Sequence, residues 1–261
     1  MELGSSLAAI VTGGASGLGE GTARALAARG VKVGVLDLNE ERGSQVAADI
    51  GGVFAKCDVT DPASIEAALD KVRAAHGQER IAVTCAGIVI GQRVVRRSRD
   101  SDAITPHDAA AFAKVIQVNL IGTFNVLARS AAGMVALPPL NDDGERGVIV
   151  TTSSVAAEDG QIGQVAYSAS KGGVLAMTLP VARDLAKDGV RVVSIMPGLF
   201  HTPMFDQLPD EARNSLAASV PFPSRLGRPD EYARLVVDIC SNPMLNGSGI
   251  RLDGAIRLAP R

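Results

Sequence analysis

The stretch "AYSASKGG" at 166–173 sets Tyr167 four positions before Lys171 with only small residues between them, in a chain whose one other tyrosine is Tyr232. On a helix, positions i and i+4 share a face, so both side chains reach one ligand. A free phenol titrates near pH 10 and is a poor acid or base at neutrality. An ammonium held beside it favours the phenolate and lowers that value, which makes a proton acceptor for an alcohol. The same spacing also arises by chance on amphipathic helices, so further residues must support the reading. Ser154 does so, closing the apolar run "GVIVTTSS" at 147–154, where its hydroxyl can hold a substrate oxygen next to the phenol. Phenolate, serine hydroxyl and cationic Lys171 cover the charge that develops, so no metal is required. His76, His107 and His201 do not form a ligand cluster by spacing.

A second chemistry-bearing pattern lies in "VTGGASGLGEG", where Gly13, Gly17 and Gly19 follow an apolar run and open a helix-like stretch. Glycine there makes a tight turn, lets backbone N–H groups approach a pyrophosphate and leaves it on a helix N-terminus. Asp37 ends the next apolar run, near the spacing of about 20 residues at which an acid meets the adenosine ribose. A carboxylate there accepts from both ribose hydroxyls and repels a 2′-phosphate, and neither Leu38 nor Asn39 supplies a compensating cation. The expectation is NAD(H) rather than NADP(H); the plainer alternative has Asp37 capping the helix that follows. Asp58 and Val59 close the third run and either border the adenine or reflect ordinary strand-end polarity.

Positioning these groups requires strands whose ends converge. Apolar β-type runs recur at 7–12, 31–37, 52–58, 81–87, 147–154, 190–198 and 248–254, separated by stretches of helical spacing such as "PASIEAALDKVRAAHG". Near-continuous apolar strands alternating with helices predict an α/β fold: one Rossmann-like, doubly wound parallel sheet of about seven strands with helices on both faces. At 261 residues a single domain spanning 1–261 is expected. The long stretch at 91–108 reads as an irregular, functional loop.

Composition excludes several classes. The net charge of −2 offers no global attraction to nucleic acid or an anionic membrane. The apolar runs read as too short to span a membrane, and "MELGSS" precedes the first run with no basic region or cleavable hydrophobic segment, which predicts the cytoplasm. Cys57, Cys85 and Cys240 are too few and too scattered for a disulfide framework or a paired-ligand zinc site, and read as reduced thiols.

Taken together, "TGGASGLG" (12–19), "CAG" (85–87), Asn119 in "VNL", Ser154, "YSASK" (167–171) and "PG" (197–198) resemble the short-chain dehydrogenase/reductase family over essentially the whole chain. The resemblance implies a tetrad: Asn119 orders a water next to Lys171, Ser154 orients the substrate oxygen, Tyr167 transfers the proton and Lys171 also holds the nicotinamide ribose. It also implies a homotetramer built partly from the long helices on either side of the fifth strand. A narrower resemblance, carried by "GQVAYSASKGG", "TLPVARDLA", "PGLF", "VPFPSRLG" and "IRLDGAIR", is to the short-chain (type 2) 3-hydroxyacyl-CoA dehydrogenases, also known as type 10 17-beta-hydroxysteroid dehydrogenases. By it, Ser16, Leu18, Asp37, Asp58, Val59, Cys85, Phe200 and Thr202 line the cofactor, beside Ala86, Gly87, Pro197 and Gly198 of the family motifs, and Gln161 lies close to substrate. One departure is visible. The family commonly has Asn-Asn-Ala-Gly where this chain has Thr84, Cys85, Ala86 and Gly87, and an Asn there braces the central strands. Its loss bears on local stability more than on catalysis, and Cys85 is read as packing against the cofactor rather than as a reactive thiol.

Substrate identity rests on two segments. Residues 199–223 carry Leu199, Phe200, Met204, Phe205, Leu208 and Leu216, apolar material for a lid over the site or, alternatively, for an amphipathic surface helix. Arg93, Arg96, Arg97 and Arg99 suit CoA phosphates, or else form a solvated face. The reading is an NAD-dependent oxidoreductase interconverting 3-hydroxyacyl-CoA and 3-oxoacyl-CoA. Its rivals are a 3-oxoacyl-carrier-protein reductase, a steroid or alcohol dehydrogenase, and a non-catalytic NAD-binding regulator on the same fold.

Overall fold

The seven apolar runs become the seven strands of one parallel sheet. The computed structural model describes residues 1–98, 101–203 and 209–260. In chain order the elements are β1 (Ala8–Thr12), α1 (Gly17–Ala27), β2 (Lys32–Asp37), α2 (Glu40–Asp49), β3 (Val53–Lys56), α3 (Pro62–His76) and β4 (Ile81–Thr84). A short hairpin, β5 (Val95–Arg97) and β6 (Ile104–Pro106), precedes α4 (Ala109–Ile116), a π-helical turn (Gln117–Ile121) and α5 (Gly122–Val135). The second half adds β7 (Gly147–Thr152), α6 (Val165–Asp184), β8 (Val190–Pro197), α7 (Asp210–Ala218), α8 (Pro229–Ser241) and β9 (Gly249–Leu252).

The sheet order is β3-β2-β1-β4-β7-β8-β9, with every neighbouring pair parallel. The chain winds outward from β1 to β3 and then crosses back to start β4 on the other side of β1. Strand direction of winding therefore reverses between β1 and β4, and a crease opens beyond their carboxyl ends. Burial on both faces explains why the runs lack alternation: all residues of β1, β7 and β8 are buried. One apolar cluster packs α1 and α8 against Val11, Val83 and Val150; the other packs α3, α5 and α6 against Ile10, Ala82 and Ile149. Each fully buried Val, Leu or Ile contributes about 1.5–3 kcal/mol relative to exposure.

Two features differ from the sequence reading. Part of the expected irregular loop at 91–108 forms the β5–β6 hairpin, pairing Val95 with Pro106 and Arg97 with Ile104. Its residues are exposed on both strands, so no apolar pattern marked it. The second difference concerns membranes. The segment Ala109–Val135 runs as one helical rod of 27 residues with mean hydropathy 1.4, long and apolar enough to cross a bilayer, although the runs had read as too short. Lys114, Asn119 and Gly122 interrupt the apolar pattern but not the helix. The rod packs on α3, α6 and strands β4 and β7, with Ile121 and Phe124 left on its outer side.

The entry to α8 is held by charge. Glu231 receives two hydrogen bonds from the Arg225 guanidinium, at 2.6 and 2.9 Å, and a third from the Arg228 backbone N–H at 2.7 Å. Pairing with Arg225 above all pulls its carboxyl down to about 2, against the opposing effect of partial burial. A carboxyl depressed on folding contributes stability that is complete above the ordinary carboxylate value and is lost as pH falls through about 2. Thermal unfolding of Glu231→Gln is expected to show a lower Tm at neutral pH and a shallower decline between about pH 4.5 and 2 than the parent chain. Parallel melting curves across that window would refute the anchor.

Candidate active site

The crease holds a cleft of about 850 Å³, within the range of cofactor sites, running from Asp37 at one end to Tyr167 and Lys171 at the other. The glycine turn forms its floor. Gly13 has φ +65°, and a Cβ there would lie 2.7 Å from the Ala86 backbone nitrogen, so the turn must approach the end of β4 without a side chain. Gly17 opens α1 at φ +52°, and a Cβ on Gly19 would collide with the Gly13 carbonyl. Ser16 caps α1 without a side-chain bond to the helix, so the first N–H groups of α1 face the cleft with their partial positive charge. A dinucleotide pyrophosphate fits this cradle.

Asp37 does not cap the following helix. Asn39 does, accepting from Arg42 N–H. The Asp37 carboxylate instead accepts from Ala15 N–H at 3.0 Å and from Asn39 N–H at 2.9 Å, which locks it at the rim beside the glycine turn. The neighbouring cation Arg42 is bonded to Glu20 at 2.9 Å. Asp58 also lines the cleft, with one oxygen engaged by the N–H and hydroxyl of Thr60 at 2.9 and 2.7 Å.

At the reacting end, α6 carries Tyr167 and Lys171 on one face, with the Lys171 nitrogen 5.8 Å from the Tyr167 ring centroid. The ammonium donates to the Thr152 carbonyl at 2.7 Å, where β7 ends. Ser154 lies just beyond, its hydroxyl accepting from Ala156 N–H at 3.1 Å and hydrogen-bonding the phenol. The electrostatics differ from the sequence expectation. Burial pushes the Tyr167 phenol above its ordinary value, and the Ser154 hydroxyl opposes that shift. Burial likewise pulls Lys171 down to about 8. Desolvation penalises both charged forms and outweighs the mutual benefit of phenolate and ammonium at this separation. Of the neighbouring side chains, the Ser154 hydroxyl is the one that opposes the upward shift of the phenol.

Asn119 lies behind the cleft, fully buried in the π-helical turn. Its amide clamps both backbone groups of Ile88, accepting at 2.8 Å and donating at 2.9 Å, and also donates to the Ser170 hydroxyl at 3.0 Å. It thus ties the chain beyond β4 to the helix residue preceding Lys171. A π-turn at such a position is a frequent mark of a functional site, and nothing in the apolar spacing signalled it.

All the residues expected to hold the cofactor, from Gly13 and Ser16 to Phe200 and Thr202, line this one cleft. Gln161 does not. Its amide donates to the Ala259 carbonyl at 3.0 Å and accepts from Gln164 at 3.1 Å, tying the loop before α6 to the chain's last residues. Phe200 is buried, its ring edge-on to Tyr232 at 6.5 Å, and so forms floor rather than lid. Met204, Phe205, Leu208 and Arg99 lie outside the described residues. Sequence reasoning missed Thr152 and the α4–π contribution of Lys114, Gln117 and Val118. Once Asn119 is singled out, helical spacing points to the latter; the Thr152 carbonyl leaves no trace in residue type.

The model of the family described as short chain dehydrogenase matches residues 7–213. A 3-hydroxyacyl-CoA dehydrogenase type-2 of Rattus norvegicus is 50% identical over 256 residues, covering 97% of this chain and 96% of that protein. The protein of the same name from Bos taurus is 51% identical with the same coverage. The crystal structure of 3-hydroxyacyl-CoA dehydrogenase type-2 from Mycobacterium avium superposes with a TM-score of 0.91 at 41% identity, covering 98% of each chain.

Replacing Tyr167 by Phe is expected to lower kcat by about 10²–10⁴ while leaving the melting temperature unchanged. Ser154→Ala removes the bond that opposes burial, so the phenol moves further up and the rising limb of the oxidative pH–kcat profile moves to higher pH. A Ser154→Ala profile superimposable on the parent's would contradict that assignment.

Proposed function

This chain belongs to the short-chain dehydrogenase family, and on that footing we propose that it is an NAD-dependent dehydrogenase interconverting 3-hydroxyacyl-CoA and 3-oxoacyl-CoA. The observation that carries the reading is the convergence of Ser154, Tyr167 and Lys171 at the end of a dinucleotide-shaped cleft, in a chain about half identical to type-2 enzymes along its length. Enzymes of this family are oxidoreductases that use a nicotinamide cofactor, and the bound nicotinamide supplies the hydride acceptor.

The remaining work belongs to this chain's own residues. The Ser154 hydroxyl donates toward the substrate oxygen and holds it at the phenol. In the oxidative direction the Tyr167 oxygen takes the hydroxyl proton as the carbinol hydrogen leaves with its electron pair; in reduction the phenol returns that proton to the new alkoxide. Lys171, held by Thr152, places its positive charge beside the phenolate as it forms. The choice of NAD over NADP is supported by Asp37, whose carboxylate is fixed at the rim by two backbone bonds where a 2′-phosphate would meet like charge. The same carboxylate argues against an NADPH-dependent acyl-carrier-protein reductase.

The acyl-CoA assignment is supported further by the β5–β6 hairpin, which projects exposed Arg93 and Arg96, with Arg97 paired to Asp102 at 3.7 Å. A homotetramer is supported by the apolar side chains left outside the π-turn, α5 and α6: Ile121, Phe124, Val165 and Leu179.

An absorbance assay with acetoacetyl-CoA, longer 3-oxoacyl-CoA esters and a 17-ketosteroid should show turnover on the acyl-CoA substrates and a preference for NADH over NADPH. Asp37→Ser should raise kcat/KM for NADPH by about tenfold or more, since like-charge juxtaposition costs several kcal/mol. Equal use of both coenzymes by the parent chain would overturn the NAD assignment. Arg93→Ala with Arg96→Ala should raise KM for acetoacetyl-CoA and leave KM for NADH unchanged; an unchanged KM for the ester removes the hairpin from the site.

A further inference from the structure

Tyr232, the chain's second tyrosine, lies in the first turns of α8, fully buried and outside the cleft. Its position is fixed from both ends of its side chain. At the backbone, the neighbouring Glu231 locks the helix entry through Arg225 and Arg228. At the ring, Phe200 stands edge-on. The phenol tip reaches the ends of two central strands. Its oxygen lies 2.6 Å from the Thr152 hydroxyl and 3.8 Å from the Cys85 sulfur, and Thr152 and Cys85 are themselves 3.5 Å apart.

The register makes this meeting unavoidable. Thr84 pairs with Thr151, so the next residues, Cys85 and Thr152, leave β4 and β7 side by side on the face that α8 covers. The three groups satisfy one another. Thr152 donates to the Cys85 sulfur and the Cys85 thiol donates to the phenol, while in the short Tyr232–Thr152 contact either oxygen can be the donor, so three hydroxyl and thiol protons close one ring. A hydroxyl buried this deeply is costly to leave unpaired, so the ring is held firmly. Burial keeps the Tyr232 phenol far above its ordinary value, so it remains protonated and takes no part in proton transfer.

What the ring grips is the residue that holds Lys171. Thr152 presents its side chain to Tyr232 and its carbonyl to the Lys171 ammonium. We propose that Tyr232 is a positioning residue for the dehydrogenase reaction: with Cys85 it fixes Thr152 from beneath the sheet, and Thr152 in turn sets where the Lys171 ammonium stands in the cleft. The same ring joins β4 to β7 at Cys85, one of the two positions where the family's central-strand asparagines are replaced.

The inference rests on the proposed nicotinamide-dependent reaction, and its test separates the two. Tyr232→Phe keeps the ring against Phe200 and removes only the hydroxyl; Thr152→Val keeps the carbonyl and removes only the side-chain oxygen. NADH binding is measured by fluorescence titration from pH 6 to 10, and turnover of acetoacetyl-CoA over the same range. Each variant is expected to stay folded with a melting temperature a few degrees below the parent's, to bind NADH about three- to tenfold more weakly, and to lose affinity at a lower pH than the parent, because a displaced carbonyl supports the Lys171 ammonium less well. The double variant should be no weaker than the worse single one, since both remove the same link. Parent-like NADH affinity and pH dependence in both single variants, or additive losses in the double, would overturn the proposal. Should Tyr232→Phe not fold, Thr152→Val decides by the same two readouts. An absence of acyl-CoA turnover in the parent chain counts against the proposed substrate alone, because the NADH titration reads the role of Tyr232 without it.

Discussion

The bond from the Lys171 ammonium to the Thr152 carbonyl is the contact on which the site is built. An ammonium that is almost wholly buried carries a desolvation penalty of several kcal/mol, and only fixed acceptors offset it. A strand-end carbonyl suits the purpose, since β4 ends at Thr84 opposite Thr151 and pairs no residue with Thr152. Through this bond the acid–base helix α6 is registered against the sheet, and the phenol one turn earlier is registered with it. Everything that steadies Thr152 therefore acts on the chemistry, including groups that never face a ligand.

The same crease serves two demands that pull in different directions. A dinucleotide needs close backbone approach and positive potential, which the glycine turn and the α1 N-terminus supply by having no side chains in the way. Proton transfer needs side chains held in one geometry, which buried polar bonds supply: Asn119 across Ile88 and Ser170, and Tyr232 across Thr152 and Cys85. The fold separates them along the sheet edge, with permissive backbone beyond β1 and β2 and tightly bonded side chains beyond β4 and β7. Burial is the cost of that rigidity. It lifts Tyr167 and lowers Lys171, so the proton-transfer pair is tuned by its hydrogen bonds rather than by simple proximity of charge.

The family's central asparagine is absent from 84 and 85, which in the sequence reads as a loss of bracing between the strands. The structure shows a different brace in its place, built from Cys85 and Thr152 with a tyrosine arriving from a helix far along the chain. Gln161 moved the other way. Expected near substrate, it is occupied by Ala259 and Gln164 and serves to hold the loop before α6 against the chain's last segment.

The seven strands were legible because burial on both faces demands uninterrupted apolar runs, and each run closes within a few residues of the strand it became. The glycine turn, Asp37, Ser154 and the Tyr167–Lys171 spacing were legible too, because backbone geometry and helical periodicity are local properties written in residue type and separation. Other features required the folded chain: the β5–β6 hairpin, whose exposed strands carry no pattern; the π-turn at Asn119; the capping of α2 by Asn39 that frees Asp37; and the meeting of Tyr232 with Thr152. The direction in which Tyr167 and Lys171 titrate belongs with these. Spacing along a helix specifies which groups are neighbours, but solvent exclusion and backbone acceptors come from elements distant in the chain, and desolvation is a property of the packed whole rather than of any segment within it.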